Sequence, residues 1–557
     1  MNSSRMRSND RGNLMSNRRI LVLAVAFLLL SSSVVGWKQA AATSTSDQPI
    51  ATTNRPSITQ HATSGSINLA ARRDHDHDND SLLELTASEA LELMERGKLT
   101  SEEYVRALLQ QADSQQGLNV FISRNAQALD AARSADRRRD NGHHNDHRDG
   151  LLNGLPIIVK DNIDSADLLT TAGTPGLRLN QPTRNAVVLQ KLLNEGAILI
   201  GKSNMHELAF GATSNNAAFG AVHNPYNPTL IPGGSSGGTA AAIAARIVPV
   251  GLGTDTAGSV RVPAALSGTV GFRPSAGRYS RDGIVLISET QDRVGTMARS
   301  VEDLVLFDQV LSEIGSDVRP ADLRGLRLGI DRANFVSNLD PTVATLFENA
   351  LTQLQNRGVE VVEVSLMPRA TFVSTINALR FSIGFYEAPG NLTRYLQDAE
   401  PPLTVQELAN QVASPDVRGL FTNFLVPGAP LAVTPQAYLA GFAARRALRS
   451  AYQTVMANNQ LDGIIFPTTI LPARPIGQDM VVELNGQMVP TTLTYTQNVV
   501  PASYAGLAGL SIPIGLTTAG LPVGLELDGL EGKDEKVLGI GLSLEKVFGR
   551  LPAPPRP

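Results

Sequence analysis

The spacing of apolar and polar residues predicts a polar N-terminal region followed by a long ordered region that begins near Leu82. Thr86 with Glu89, and Thr100 with Glu103, each place a threonine three residues before a glutamate at the start of an apolar helical repeat. This arrangement is a capping box, in which the two side chains accept hydrogen bonds from free amides at a helix start. The pattern therefore predicts two consecutive helices here.

Short apolar runs predict buried strands at residues 155–159, 197–201, 461–467 and 521–527. Helical repeats lie between them, and such alternation is typical of an α/β layer fold. Residues 300–461 have mainly helical patterns, which indicates a helical insertion. Because no linker-like break interrupts residues 82–549 and no internal repeat is present, we expect one large domain over residues 81–557.

The N-terminus has the pattern of an export signal. Basic residues precede an apolar run at 20–30, and small residues follow at 40–42. We expect cleavage after Ala42 and a periplasmic or secreted protein. The alternative is an N-terminal anchor over residues 20–37, but its 18 residues would only just span a bilayer. This segment is the only part of the chain for which we expect membrane contact.

Two polar segments are expected to lie outside the packed core. Residues 43–80 contain few apolar side chains, so burial cannot offset the entropy of ordering them, and we expect a disordered linker. Alternating Asp and His at 74–78 could bind a metal, but the composition favours a solvated linker. Residues 137–147, after a predicted helix at 125–135, are expected to form an exposed loop for the same reason.

Composition narrows the chemistry that the chain can perform. The 557 residues are 42% hydrophobic, enough for a large core, and include no cysteine. Disulfides, thiolate metal sites and a cysteine nucleophile are thereby excluded. The net charge is −4, and six basic residues against one acidic residue fall within residues 1–42. The remainder is therefore more acidic still, which argues against a nucleic-acid partner.

The stretch 232–274 sets two serines, Ser235 and Ser259, into glycine-rich turns on either side of an alanine-rich helix. Glycine permits sharp turns and close approach to a ligand, so a serine among glycines is placed for contact. A phosphate-binding loop is the first alternative, but residues 233–239 lack the lysine of a P-loop and residues 251–253 lack the third glycine of a dinucleotide site. A purely structural turn would leave both serines unexplained.

A serine nucleophile needs a base, and histidine is the usual one. Six of the eight histidines lie in the two polar segments, which leaves His206 and His223, and no Gly-x-Ser-x-Gly setting surrounds Ser259. Lys160 ends an apolar strand, where burial can lower the pKa of its amine enough to leave it neutral near pH 7. The alternative is a lysine that extends from the strand end into solvent.

These residues together resemble the amidase signature family of serine hydrolases, and the resemblance runs over residues 85–549. The matching motifs are Gly-Leu-Pro before Lys160-Asp161, the Gly-Gly-Ser-Ser-Gly-Gly run with Ser235 as its first serine, and Thr-Asp-Thr-Ala-Gly-Ser ending in Ser259. The resemblance implies a single large α/β/α sandwich around a mixed central sheet. It also implies a Ser, cis-Ser, Lys triad that uses no metal and no cofactor.

By this resemblance, Ser259 is the nucleophile, Ser235 the proton bridge and Lys160 the base. A hydroxyl both donates and accepts, so Ser235 can relay a proton from Ser259 to a neutral Lys160. The turn at residues 256–259 offers backbone N–H groups as an oxyanion hole, and the residues expected to form it are Thr256, Ala257 and Gly258. Those expected to support the site by hydrogen bonds are Ser236, Asp255 and Arg261. The chain departs from most relatives at Ala257, where they carry glycine.

Several further blocks resemble the mandelamide and indoleacetamide hydrolase branch, including residues 271–274, 466–469 and 506–513. We therefore expect hydrolysis of a primary aryl-substituted acetamide to the acid and ammonia through an acyl-serine. Phe381, Phe385 and Tyr386 could contact an aryl group, although helical spacing favours core positions.

Two other functions remain open. One is the glutaminase subunit of a tRNA-dependent amidotransferase, against which the export signal argues. The other is a secreted binding module without catalysis, against which the complete triad argues. The partner expected for the main hypothesis is a small-molecule amide, and the sequence indicates no oligomeric state.

Overall fold

The computed structural model describes residues 79–141, 150–312 and 318–555. The predicted signal or anchor, the predicted linker except its last two residues, and the Asp/His cluster at 74–78 lie outside the described residues. Among the helices that are described, none is long and apolar enough to cross a membrane.

The two predicted capping boxes are confirmed. Thr86 caps α2 (Ala87–Glu95) and Thr100 caps α3 (Ser101–Ser114), with reciprocal bonds to Glu89 and Glu103. The short α1 precedes them at Asn79–Leu83. The other helices are α4 Ala128–Asn141, α5 Val187–Asn194, α6 Gly237–Ala244, α7 Arg261–Ser267, α8 Val301–Leu311, α9 Pro341–Asn356, α10 Arg369–Arg380, α11 Ile383–Gln397, α12 Val405–Gln411, α13 Pro415–Leu420, α14 Pro435–Asn458, α15 Thr491–Thr496, α16 Val500–Ala505 and α17 Asp534–Phe548.

A mixed sheet of eleven strands runs through the domain, in the order β1-β3-β2-β6-β8-β7-β14-β15-β11-β9-β10. Its strands are β1 Phe121–Arg124, β2 Pro156–Lys160, β3 Ile198–Ser203, β6 Val250–Asp255, β7 Val270–Arg273, β8 Arg293–Ala298, β9 Arg327–Ile330, β10 Glu360–Glu363, β11 Gly463–Pro467, β14 Ala508–Leu516 and β15 Pro522–Gly529. Two small ribbons consist of β4 Asn215–Asn216 with β5 Gly220–Ala221, and β12 Val481–Leu484 with β13 Gln487–Pro490. The predicted α/β fold with a mixed sheet is confirmed, and so are all four predicted strands.

Parallel pairing of β3, β2 and β6 brings the carboxyl ends of these strands to one edge. Lys160 ends β2 and Asp255 ends β6, so both lie at that edge. Open α/β sheets bind their ligands at such edges. The sheet topology therefore brings together residues that lie about a hundred positions apart in the sequence.

Helix α6 packs unusually close to the sheet because all eight of its residues are buried and most are alanine or glycine. A Cβ at Gly238 would meet the backbone nitrogen of Asn204 at 2.7 Å, so only glycine fits there. The alanines join Ile158, Ile200 and Met297 in one apolar cluster. This packing fixes the start of α6, where Ser235 and Ser236 lie.

Two expectations about the chain between the strands are refined by the structure. The segment 300–461 is mainly helical, from α8 to α14, but β9 and β10 within it also extend the main sheet. The expected exposed loop at 137–147 is wrong for its first five residues, which continue helix α4 to Asn141. Salt bridges within the helix, such as that from Arg139 to Asp136 at 2.8 Å, stabilise this highly charged end.

Candidate active site

Lys160 occupies a fully buried position at the end of β2. Its Nζ lies 2.7 Å from Ser235 Oγ and 2.8 Å from Thr254 Oγ1. Asn162 also approaches Thr254, with its Nδ2 at 3.1 Å from Oγ1. The lysine therefore does not extend into solvent, and it contacts hydroxyl groups rather than a carboxylate.

Burial lowers the pKa of Lys160 from its ordinary value of 10.5 to about 7. The negative charges of Asp255 and Asp292 oppose this change and keep the pKa from falling further. At pH 7, therefore, about half of the Lys160 side chains are neutral. A neutral amine has a lone pair that can accept the proton of the Ser235 hydroxyl.

Ser235 is held through its backbone in a fully buried turn. The Gly234–Ser235 peptide bond is cis. The Ser235 carbonyl accepts hydrogen bonds from the N–H of His206 at 3.2 Å and from Ser214 Oγ at 3.4 Å. Gly233 before it has a φ of +85°, and a Cβ there would lie 2.7 Å from Pro263 Cα, so the turn requires glycine at this position.

Ser236 connects the Ser235 turn to the loop at residues 256–260, which carries the predicted nucleophile Ser259 and is called the nucleophile loop below. Its N–H donates to the carbonyl of Ser259 at 3.1 Å, and its hydroxyl donates to the carbonyl of Thr254 at 3.2 Å. The Ser236 side chain is therefore directed toward the β6 backbone and not toward the Ser259 hydroxyl. These contacts agree with a supporting role for Ser236.

Ser259 is 8% exposed, whereas Ser235 and Lys160 are completely buried. Of the three predicted triad members it is thus the one nearest to solvent. Gly258 before it has a φ of +112°, and a Cβ there would collide with the side chain of Val499. Glycine at 258 is therefore needed to present Ser259 in this orientation.

The Asp255 carboxylate holds the nucleophile loop in place by hydrogen bonds. Its carboxylate accepts hydrogen bonds from the N–H groups of Gly258 at 2.8 Å and Val260 at 3.2 Å, and from Arg261 Nε at 3.1 Å. Burial alone would raise the pKa of Asp255, but the guanidinium groups of Arg261 and Arg273 hold it well below the usual range. The carboxylate therefore stays charged.

Arg261 is fully buried between Asp255 and a second carboxylate, that of Glu526, at 2.8 Å from its NH1. Its NH2 also donates to Ser503 Oγ at 2.6 Å. With these partners Arg261 holds the loop by hydrogen bonds, which agrees with the supporting role predicted for it.

The predicted oxyanion hole needs one correction. The Gly258 N–H already donates to Asp255, so this amide is committed to the loop itself. Within the described chain, the N–H groups of Thr256, Ala257 and Ser259 meet no acceptor, and these amides are the donors left for an oxyanion. Ala257 does not have a positive φ, and its methyl packs against the apolar cluster formed largely by α10, α14 and α16.

Thr254, Asn162 and Asp292 contribute to the site and were missed from the sequence. Thr254 contacts Lys160, Asn162 contacts Thr254, and the negative charge of Asp292 raises the pKa of Lys160 against the effect of burial. Thr254 and Asn162 lie next to the motifs that predict the triad, and this position in the sequence could have identified them. Asp292 precedes β8, whose pairing with β6 was not apparent from the sequence.

The two histidines left open by the sequence do not contact Ser259. His206 is buried, with Nε2 at 3.0 Å from Asp416 Oδ2. His223 bonds the carbonyl of Pro228. No group of three or more potential metal ligands lies together in the described residues.

The three aromatic residues considered for substrate contact are not fully buried. Phe385 packs edge-on against Phe210 and Phe381, with ring centroids 6.0 and 5.3 Å away. Tyr386 is 38% exposed and stacks on Tyr438 at 4.1 Å. These side chains form half-buried aromatic surfaces on α11 and α14. A surface depression of about 740 Å³ near residues 320–324 and 355–358 is lined by none of the residues predicted for the site.

Comparison with known proteins gives one consistent result. A family model described as Amidase matches residues 103–538. The chain is 41% identical to an indoleacetamide hydrolase of Agrobacterium vitis, over 83% of this chain and 96% of that protein. It is 38% identical to a mandelamide hydrolase of Pseudomonas putida, over 85% of this chain and 94% of that protein. The native peptide amidase of Stenotrophomonas maltophilia superimposes with a TM-score of 0.70 at 29% identity, covering 85% of this chain and 98% of that one.

Proposed function

The chain belongs to the amidase family and is an amide hydrolase, and from that premise we propose its substrate and mechanism. The proposed substrate is a primary amide of an aryl-substituted acetic acid. The products are the carboxylic acid and ammonia, and the reaction passes through an acyl-serine on Ser259. The observation that carries the mechanism is the 2.7 Å contact between Ser235 Oγ and the Nζ of a buried Lys160.

In the acylation step, Ser259 Oγ attacks the amide carbonyl carbon and passes its proton to Ser235 Oγ. Ser235 in turn gives its own proton to neutral Lys160. The tetrahedral intermediate then collapses as the Lys160 ammonium returns the proton through Ser235 to the leaving nitrogen, and the C–N bond breaks. Ammonia leaves, and water attacks the acyl-serine by the same relay to release the acid.

Negative charges near the relay of Ser259, Ser235 and Lys160 favour the protonated form of Lys160. Asp255 and Asp292 raise the pKa of Lys160 by their negative charge, so they stabilise the ammonium that forms as Ser259 attacks. The oxyanion that forms at the same time accepts hydrogen bonds from the free amides of Thr256, Ala257 and Ser259. Removing one such donor typically costs about 3 kcal/mol of transition-state stabilisation.

The choice of acyl group rests on the similarity to indoleacetamide and mandelamide hydrolases, whose names specify arylacetic amides. Half-buried aromatic side chains on α11 and α14 supply apolar surface that suits an aryl ring. A glutaminase subunit would instead act on glutamine. A binding module without catalysis would release no ammonia from any amide.

The function is tested by measuring ammonia release from a panel of indole-3-acetamide, mandelamide, phenylacetamide, butyramide and glutamine. We expect the three aryl amides to give the highest kcat/KM. Ser259→Ala should abolish turnover without loss of stability, because a small side chain in a turn is exchanged. Ser374→Ala, at an exposed serine of α10, is the matched control and should leave turnover unchanged. Hydroxylamine should trap the acyl group as a hydroxamate only when Ser259 is present.

Two results would contradict this proposal. Substantial hydrolysis by the Ser259→Ala variant would remove the nucleophile assignment. Ammonia from glutamine alone would favour the glutaminase function.

We further propose that the protein is exported, as its N-terminal sequence pattern suggests, and acts on small amides without a nucleic-acid partner. N-terminal sequencing of protein recovered outside the cytoplasm tests this. A new N-terminus at Thr43 supports a cleaved signal, an intact N-terminus in the membrane fraction supports an anchor, and recovery only from the cytoplasm contradicts export.

A further inference from the structure

The loop after β3, residues 206–214, holds the backbone of Ser235 from both of its ends. At the first residue of the loop, the His206 N–H donates to the Ser235 carbonyl at 3.2 Å. At the last residue, Ser214 Oγ donates to the same carbonyl at 3.4 Å and accepts the N–H of Gly237 at 3.1 Å. Loop 206–214 therefore fixes one carbonyl group of the turn that carries Ser235.

This carbonyl also connects loop 206–214 to the nucleophile loop. The Ser235 carbonyl and the Ser236 N–H belong to one planar peptide unit. That N–H donates to the carbonyl of Ser259 at 3.1 Å. A rotation of the peptide unit would change the hydrogen bonds on both of its sides. The contacts made by loop 206–214 therefore bear on the position of Ser235 relative to Ser259.

The imidazole ring of His206 is completely buried within loop 206–214. A Cβ on Gly211 would lie 2.1 Å from its Nε2, so the glycine leaves the space that the ring occupies. Nδ1 of the ring lies 3.3 Å from Thr213 Oγ1, and Nε2 lies 3.0 Å from Asp416 Oδ2 at the start of α13. The ring therefore links the beginning of the loop to its end and to a separate helix.

The hydrogen bonds around the ring call for a donor at each of its nitrogens. Thr213 has a single hydroxyl proton, which it gives to Asp479 Oδ1 at 2.6 Å, so it can only accept from His206. The Asp416 carboxylate is likewise an acceptor. Burial lowers the pKa of His206, but the charges of Asp416, Asp479 and Glu207 outweigh this effect and raise it. Both observations favour a charged imidazolium ring.

The backbone of loop 206–214 depends on such support. Leu208, Ala209 and Ser214 have φ values of +52, +62 and +56°. Residues with a Cβ rarely adopt this region, and they keep it only where the surrounding structure holds them there. Removal of the His206 ring should therefore allow the loop to relax.

We propose that His206 is a positioning residue for the relay, because its ring holds loop 206–214 in the conformation that fixes the peptide unit between Ser235 and Ser236. The ring itself bonds Thr213 and Asp416 and acts on the reaction only through the backbone. Its loss should lower kcat, because misplaced proton-transfer groups react more slowly, and should leave KM nearly unchanged. The proposal rests on the proposed role of Ser235 as the proton bridge.

The first experiment measures kcat and KM of His206→Ala with the best amide of the panel, well below the melting temperature of the variant. We expect kcat to fall about 10- to 100-fold while KM stays within about threefold of the wild type. His223→Ala is the matched control, because the ring of this half-buried histidine bonds the Pro228 carbonyl instead, and both constants should be unchanged. A role in stability alone would lower the melting temperature and leave kcat of the folded variant unchanged.

The second experiment displaces the ring without removing it. Gly211→Ala puts a methyl group where the ring lies, so it should lower kcat to a similar extent. In the double variant with His206→Ala the methyl group meets no ring, so kcat should equal that of His206→Ala alone. Gly117→Ala is the control, because a Cβ there would meet nothing within 4 Å. If His206→Ala does not fold, Gly211→Ala and Thr213→Val, which removes the acceptor of the ring, decide the question.

Ser235→Ala is measured alongside, so that two different failures can be told apart. If Ser235→Ala is nearly inactive while the His206 and Gly211 variants keep kcat within about twofold of the wild type, the positioning role is overturned and the relay stands. If Ser235→Ala retains its activity, the relay fails and the positioning role fails with it. A rise in KM at constant kcat, or additive losses in the double variant, would also overturn positioning by the ring.

Discussion

Replacing Lys160 by methionine should make the enzyme inactive and also more stable at neutral pH. The pKa of Lys160 falls from 10.5 in the unfolded chain to about 7 in the folded protein. The folded state therefore binds fewer protons than the unfolded state between these values, and stability rises with pH over that window. Integrating the difference at 1.36 kcal/mol per pKa unit gives a penalty of about 4 kcal/mol at pH 7.

Methionine fills nearly the same volume without the charge, so it removes this penalty. It also removes the hydrogen bonds to Ser235 and Thr254, which contribute about 1 kcal/mol each. The variant should therefore exceed the wild type by about 2 kcal/mol in free energy of unfolding at pH 7. At pH 10 the penalty is only about 1 kcal/mol, so the variant should be less stable there by about that amount.

The assay is urea unfolding followed by circular dichroism at pH 7 and pH 10. Tryptophan fluorescence is unsuitable because the only tryptophan, Trp37, is outside the described domain. Lys536→Met is the control, since this exposed lysine forms a surface bridge to Asp462 at 2.7 Å and its loss should change stability by about 0.5 kcal/mol or less. A Lys160→Met variant that is less stable than the wild type at pH 7, or whose stability difference does not change with pH, would refute the reasoning.

Three further predictions concern the relay and its support. The kcat/KM for a good amide should fall tenfold per pH unit below the Lys160 pKa of about 7 and level off above it, and a flat profile from pH 6 to 8 would contradict a lysine base. Ser235→Ala should lower kcat by about 100-fold or more with little change in melting temperature, and a loss below tenfold would argue against the proton bridge. His206→Gln should cost about 3 kcal/mol of stability, because it leaves the Asp416 carboxylate without its partner. Adding Asp416→Asn should restore part of that loss, and melting curves that show no such coupling would contradict the ion pair.

The sequence predicted four strands of the main sheet, and it singled out Lys160 and Ser235, whose Nζ and Oγ lie 2.7 Å apart in the structure. Continuous apolar runs such as residues 155–159 predict buried strands directly, because both faces of a central strand must be covered. The strands β9 and β10 were missed within an apparently helical segment. Each has four residues, and the β10 burial pattern has no buried position, so neither gives a recognisable apolar run.

Hydrogen-bond partners could not be predicted from the motifs. The glycine at 258 suggested an oxyanion donor, yet the structure commits its N–H to Asp255. That hydrogen bond forms because the loop after β6 turns back toward Asp255, the last residue of the strand. The spacing of residues in the sequence does not determine such a turn. The β6–β8 pairing, which sets Arg293 opposite Asp255, was likewise not apparent from the sequence.

Two buried lysines have different surroundings, and this difference is why we propose Lys160 and not Lys202 as the base. Lys160 is the last residue of β2, and Lys202 is the next-to-last residue of β3, the neighbouring parallel strand. Both side chains are completely buried. Lys202 Nζ lies 3.3 Å from the carboxylate of Asp161, and burial lowers the pKa of Lys202 while the charge of Asp161 opposes that change. Lys160 contacts only uncharged oxygen atoms, so its proton can leave without separating an ion pair. Asp161 follows Lys160 in the sequence but contacts Lys202. Lys160 is therefore the lysine that is free to exchange a proton with Ser235.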